Sequence, residues 1–300
     1  MKMIITGSLG HISRPLTQLL VQHNHTVTVI SSNPERKKEI ETLGANAAIG
    51  SMQDVAFLTK TFTGADIVYC MESLGHGFFF DHNLDYMEAL TNIATNYKHA
   101  IEKAGIKKVV HLSSIGAHTD KGNGMLASHY NVEAILKQLP ADVAIKFMRP
   151  VGFYYNMFAF IPTIKATGTI IQNYGGDERE PWVSTDDIAT VIAEEMQLPF
   201  NGRTIRYIAS EELSPNEVAN ILGEAIGNPD LKWIAIPNEQ MQSNLIAAGM
   251  NPAVAKGITE MNAGRISGVL YEDYNRNKPI LSKTKLEVFA KDFAAAYNKQ

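Results

Sequence analysis

Eight residues near the start of the chain have the types and order to hold a diphosphate. Thr6-Gly7-Ser8-Leu9-Gly10-His11-Ile12-Ser13 follows a short apolar run and opens a helix-like segment, in the pattern G-x-x-G-x-x-S. Gly7 permits a tight turn and Gly10 lets the backbone approach an anion. The helix start then presents unpaired N–H groups and a partial positive charge. Ser13 stands where a third glycine is usual, and it is small enough to keep helix and strand close. The same residues also suit a βα turn without ligand. The strand before, the helix after and a second strand about twenty residues on favour a dinucleotide.

The end of that second strand bears on the ribose. It reads Ser31-Ser32-Asn33-Pro34, with no carboxylate to hold a ribose 2′-hydroxyl, and Arg36-Lys37-Lys38 follow. This leans toward a 2′-phosphate and NADP(H), with NAD(H) as the alternative. The three cations also read as a solvated helix face.

Other reactive types form no constellation. The nine histidines include no H-x-x-x-H pair beside an acid, so no metal site is expected. No G-x-S-x-G elbow is present. Cys70, the one cysteine, ends an apolar run and reads as packing. It fits a reducing, cytoplasmic setting. Asp186 and Asp187 precede an apolar helix and read as its N-cap and dipole partner. A net charge of −4 supports neither a nucleic-acid nor an anionic-membrane surface. No apolar stretch reaches the length of a membrane span.

The elements that must position these residues alternate. Strand-like runs lie at Met3–Ile5, Thr26–Ile30, Ala47–Ile49, Asp66–Cys70, Lys108–Leu112 and Ala144–Met148. Helix-like segments lie between them at Ile12–Gln22, Pro34–Leu43, Val55–Phe62, Leu84–Ala104 and Ser128–Leu139. Such spacing predicts a parallel sheet with helices on both faces. Gly44, Gly64 and Gly105 sit where left-handed helix caps are expected. Residues 1–150, rejoined by 183–210, form the dinucleotide domain in this reading. Residues 151–182 and 211–300 form a smaller α+β cap on the substrate side.

A set of longer motifs carries a family resemblance. The glycine turn, Asn33-Pro34-Glu35, Gly50, Gly64-Ala65-Asp66-Ile67-Val68 and Val109-Val110-His111-Leu112-Ser113-Ser114 resemble the NmrA-like atypical short-chain dehydrogenases. Trp182-Val183-Ser184-Thr185-Asp186-Asp187-Ile188-Ala189 matches them too. His129-Tyr130-Asn131-Val132-Glu133, Phe147-Met148-Arg149-Pro150 and Phe153-Tyr154-Tyr155-Asn156 look most like the NAD(P)H:quinone oxidoreductase type 2 branch. The resemblance covers residues 3–210 well and the remainder loosely. It implies an α/β fold with a doubly wound parallel Rossmann sheet and a smaller C-terminal α+β cap. It also implies that Gly7, Leu9, Gly10, His11 and Ile12 line the cofactor phosphates. Ser32 replaces an arginine common in relatives, leaving Asn33 or Arg36 for the 2′-phosphate. Ser51 replaces a frequent aspartate near the adenine, and Met71, Glu72 and Ser73 run beside the ribose and nicotinamide.

The usual catalytic set is incomplete. Ordinary short-chain dehydrogenases use Ser, Tyr and Lys, the last two four apart on one helix face. Ser113 fits the serine position, but Met125 and His129 fall at the tyrosine and lysine positions. A thioether donates no proton. The resemblance implies that His129 hydrogen-bonds the nicotinamide ribose; the alternative is a helix-start histidine after Ser128. Ser113 reads as a ribose or substrate contact or as a plain strand-end serine. Hydride transfer to a quinone asks mainly for orientation, so loss of the tyrosine does not exclude it. Phe78-Phe79-Phe80 and Phe153-Tyr154-Tyr155 are expected walls for a planar acceptor, or else core. His76, between Gly75 and Gly77, is expected on a mobile loop over the nicotinamide. The expected function is an NAD(P)H-binding oxidoreductase acting on a quinone or similar planar acceptor. The alternative is a non-catalytic redox sensor with a regulatory protein partner. A homodimer is an expected assembly, without nucleic acid or membrane as partner.

Overall fold

The computed structural model describes residues 1–299; the side chain of His76 lies outside the described set. Seven parallel strands form the main sheet: β1 (Lys2–Ile5), β2 (Thr26–Ser31), β3 (Asn46–Ile49), β4 (Ile67–Cys70), β5 (Lys108–Leu112), β6 (Ala144–Pro150) and, much later, a seventh at Arg203–Ile208. The first six alternate with α1 (Ser13–Gln22), α2 (Arg36–Thr42), α3 (Val55–Phe62), α4 (Tyr86–Ala104) and α5 (Ala127–Leu136). The spatial order is seventh-β6-β5-β4-β1-β2-β3. Strand order reverses between β1 and β4, and in doubly wound sheets ligands bind in that crevice.

Strand composition follows from this layering. Ile67–Cys70 is buried throughout, as a central parallel strand must be. In β1 the side chains alternate: Met3 and Ile5 join the core beneath α1, and Ile4 joins the core beneath α3 and α4. Each such buried side chain contributes about 1.5–3 kcal/mol. Gly44, Gly64 and Gly105 all adopt positive φ at helix ends.

The chain leaves the sheet after β6. It makes β7 (Gly152–Phe153), α6 (Ile161–Thr167), β8 (Thr169–Gln172) and β9 (Glu180–Val183). It then returns through α7 (Thr185–Gln197), which packs on α1, to the seventh strand, β10. Beyond it lie β11 (Glu211–Leu213), α8 (Pro215–Ile226), β12 (Lys232–Ala235), α9 (Asn238–Ala247), α10 (Pro252–Ile266), α11 (Glu272–Arg276) and α12 (Leu286–Lys299). Three- and two-stranded sheets, β11-β9-β7 and β12-β8, complete this part. Its core holds Tyr154, Met157, Trp182, Leu222, Trp233 and Phe293. A capping box between Ser214 and Glu217 starts α8.

The start of α7 corrects the sequence reading. Ser184 is its N-cap, accepting from the Asp186 amide. Asp187 instead receives Ser210 Oγ at 2.6 Å and both the amide and hydroxyl of Thr284 at 3.0 and 2.9 Å, fastening the C-terminal segment to α7. Among the described residues, no helix is long and apolar enough to cross a membrane.

Candidate functional site

The glycine turn is shaped for a backbone–anion contact. Gly7 sits at φ +85°, and a Cβ there would stand 2.7 Å from Met71 Sδ and 2.8 Å from Ser13 Oγ. Ser8 is left-handed too, at φ +55°. Its amide donates to Ile30 O at 3.0 Å and its hydroxyl to Ser31 Oγ at 2.9 Å, which offset the strain. Ser13 Oγ donates to Thr6 O, and Thr6 Oγ1 accepts the Met71 amide at 2.9 Å. The turn is thereby tied to the end of β4. No side chain caps α1 and its first turn carries no acid, so the helix start is open to an anion. This cradle fits a dinucleotide diphosphate.

The residues around the turn divide by direction. Leu9 and Ile12 are buried in the core, so only their backbones can face a phosphate. The exposed His11 packs its ring against Tyr155, tilted by 33° with ring centroids 3.7 Å apart. Tyr155 therefore packs on the turn and is not among the residues that line the cavity described below. Ser32, Asn33 and Arg36 are all exposed past the end of β2. Asn33 Oδ1 accepts the Glu35 amide in a local turn. Arg36 pairs with Glu39, and so does Arg14 from α1, a cation the sequence reading missed. Ser51 is exposed and accepts the Gln53 amide.

A cavity of about 310 Å³ opens past the end of β4. Glu72, Ser73 and Leu74 line it after β4, with Phe78 and Phe79 from the following segment and Met125, Leu126 and His129 from the start of α5 and the residues before it. Phe80, expected with its neighbours, is exposed. The Phe79 segment is held from the C-terminal part: Asn251 donates its amide to Phe79 O and its Nδ2 to Asp81 O, at 2.8 and 2.7 Å. Gly124 and Gly257 let the backbones before α5 and in α10 approach closely. A Cβ on Gly124 would lie 2.1 Å from Gly257 O. This contact sets Met125 in the wall.

His129 faces the cavity from the first turn of α5. Desolvation pulls its imidazole down to about 4, against the opposing pull of the Glu72 carboxylate. It is neutral near pH 7. Ser128, one residue earlier, spends its hydroxyl on Met125 O and does not cap the helix. Glu72 itself meets His111 of β5, with Nε2 3.0 Å from Oε2. Neither of these contacts was legible in sequence.

Ser113 is engaged inside the protein. Its hydroxyl is buried and donates to Glu133 Oε1 at 2.6 Å, away from the cavity lining. Glu133 also receives Arg149 Nε and Nη2 at 2.9 and 2.8 Å, and Lys137 at 2.9 Å. Burial pushes the Glu133 carboxyl up, but these partners outweigh it and hold it at about 2. Arg149 in turn reaches Tyr207 Oη and Asp273 of α11. A buried arginine on a central strand demands an acidic partner, and that signal was available in Phe147-Met148-Arg149.

The second aromatic group is also redistributed. Tyr154 is core: it lies in the C-terminal cluster and donates to Glu211 Oε1 at 2.6 Å. Phe153 packs against the main-sheet core and does not line the cavity. The expected role of the His76 side chain lies outside the described residues. Burial pushes the Cys70 thiol well up, in keeping with a packing role.

A doubly wound α/β sheet, with an anion cradle at its switch point and a cavity alongside, defines a dinucleotide-binding type of fold. The chain belongs to the NmrA-like family, which it matches over residues 1–280. No curated protein sequence matches it. Solved structures share the fold over nearly the whole chain. NADPH-dependent quinone oxidoreductase QOR2 of Escherichia coli, complexed with NADPH, is 18% identical, with 97% of this chain and 99% of that one covered and a TM-score of 0.80. Citrobacter sp. triphenylmethane reductase is 18% identical, with 98% and 100% covered and a TM-score of 0.75. A nucleoside-diphosphate-sugar epimerase of Staphylococcus aureus is 16% identical, with 97% and 100% covered and a TM-score of 0.77.

Proposed function

We propose that the protein binds NADP(H) across the turn after β1 and reduces a quinone or similar planar acceptor in the cavity beside His129. One observation carries this reading. Met71 packs against Gly7, while the next residues, Glu72 and Ser73, line the cavity. A dinucleotide with its diphosphate on the turn therefore has its reactive end directed along residues 71–73 to the cavity. The NADPH-bound quinone reductase neighbour supports the choice of cofactor and acceptor.

When bound, the reduced nicotinamide supplies the hydride. The chain's own residues orient and enclose. Gly7 and Gly10 would admit the diphosphate, the open start of α1 would offset its charge, and Arg14, Asn33 and Arg36 are the groups that would hold a ribose 2′-phosphate. Neutral His129 offers a hydrogen bond to the ribose. Phe78 and Phe79 give a flat acceptor an apolar face and exclude water. The test is NADPH oxidation followed across a quinone panel. Turnover with at least one quinone is expected, and none across the panel overturns the reading. Parallel titrations should show tighter binding of NADPH than NADH; the reverse order overturns the NADP(H) assignment.

A second reading, a nucleotide sensor that reports to a protein partner, is favoured by Met125 in the cavity wall and by the commitment of Ser113 to Glu133. Nucleotide-dependent capture of a partner without turnover distinguishes it.

A further inference from the structure

Reduction of a quinone consumes one hydride and one proton, and among the described residues the groups around the cavity leave one candidate for the proton. Glu72 lines the cavity, and its side chain is almost wholly buried. His111, fully buried on β5, points Nε2 at both carboxyl oxygens, 3.0 Å from Oε2 and 3.3 Å from Oε1. The imidazole is held edge-on by Phe147, with ring centroids 5.9 Å apart. Its Nδ1 has no hydrogen-bond partner among the described residues. An unpartnered Nδ1 suits the neutral tautomer that carries its proton on Nε2 and donates it to Glu72.

We propose that Glu72 is the proton donor to the reduced acceptor and that His111 is the positioning residue behind it. This rests on the quinone-reductase reading above. The acceptor takes the hydride, two electrons with one proton, and becomes an anion. The Glu72 O–H bond then breaks, an O–H bond forms on the acceptor, and the electron pair stays on Glu72 as carboxylate. The His111 Nε2–H bond to that carboxylate strengthens as charge develops. Solvent returns one proton to Glu72 after product leaves, so the sum is quinone, NADPH and one proton giving hydroquinone and NADP+. Donation uses the protonated form of Glu72, and a planar acceptor seated beside it excludes bulk water from the transfer.

Among the described residues, the surrounding ionisable groups do not compete. They are His129 and Glu133 on α5, Tyr97 on α4, and Tyr69 and Cys70 on β4. His129, at about 4, carries no spare proton near neutrality. Glu133, at about 2, stays ionised against Arg149. Burial pushes Tyr69, Tyr97 and Cys70 upward, so they stay neutral, and Tyr97 Oη is already donated to Met71 O.

The test is single-turnover reduction of a benzoquinone by NADPH-saturated protein, across pH and in light and heavy water, for the wild type and Glu72→Gln. Wild-type protein should slow as pH rises and show a solvent isotope effect. Glu72→Gln should be slower by at least about tenfold, toward the 10²–10⁴ range typical of general acids, with pH dependence and isotope effect lost. Nitrogen-15 spectra of the histidine rings, taken without acceptor, should show His111 protonated at Nε2, bare at Nδ1 and shifted in Glu72→Gln. Wild-type rate and pH profile in Glu72→Gln, or His111 protonated at Nδ1 with a bare Nε2, overturns this proposal and leaves the quinone reading standing. No turnover by the wild type removes both.

Discussion

At the residue scale, two side-chain environments make separable predictions. Gly7→Ala must hold a Cβ at φ +85° against Met71 and Ser13. Left-handed backbone alone costs an alanine about 1–2 kcal/mol. The variant should melt lower and lose NADPH binding in a fluorescence titration, whereas Gly64→Ala, with open space at its Cβ, should lose only the backbone share. Glu133 predicts a pH dependence. Its folded value, about 2, lies below the ordinary 4.5, so the Arg149–Glu133 interaction stabilises fully above pH 4.5 and is lost as pH falls toward 2. The shift corresponds to on the order of 3 kcal/mol. Denaturant midpoints measured from pH 6 down to pH 3 should fall in the wild type, and the carboxylate share of that slope should vanish in Glu133→Gln. Ser113 shows why residue roles were only partly legible. Its strand-end position was plain from the sequence, but Glu133, twenty residues on, takes its hydroxyl, and no local pattern encodes that pairing.

Among the elements, α5 and the Phe78–Phe79 segment set the cavity, and each is fixed from a distance. Arg149 on β6 binds Glu133 on α5 and Asp273 on α11, so one guanidinium holds the helix that carries His129. Arg149→Met removes the buried partner of the Glu133 carboxylate, leaving it only Lys137 and Ser113, and should destabilise by about 3–5 kcal/mol in equilibrium unfolding. Asn251 acts on the other wall. Asn251→Ala removes the bond to Asp81 O and the N-cap contacts to Ala253 and Val254. The Phe79 side should loosen: acceptor KM rises several-fold, while NADPH affinity stays within about twofold, the scale of a single lost hydrogen bond at a distance. Equal weakening of both would show a general unfolding effect. The strands and helices of the first half were legible because their periods and glycine caps are local. The wall contacts were not, because Asn251 meets Phe79 across 172 positions of chain.

For the whole molecule, nucleotide binding should register as stability. Saturation with NADPH at about one hundred times Kd adds about 2.7 kcal/mol, a rise of several degrees in Tm. The layered order of the sheet also sets when that gain becomes available. The chain departs after Pro150 and supplies the strand beside β6 only at Arg203–Ile208, in six parallel pairings. While the ribosome is still building the intervening fifty-odd residues, Ala144–Pro150 has one bare margin, and Arg149 lacks both Tyr207 and Asp273. Vectorial synthesis therefore finishes the nucleotide cradle long before it can close the flank of the sheet. A nascent chain is exposed to mispairing along β6 until Arg203–Ile208 has emerged, and Arg149 waits for Asp273 after that.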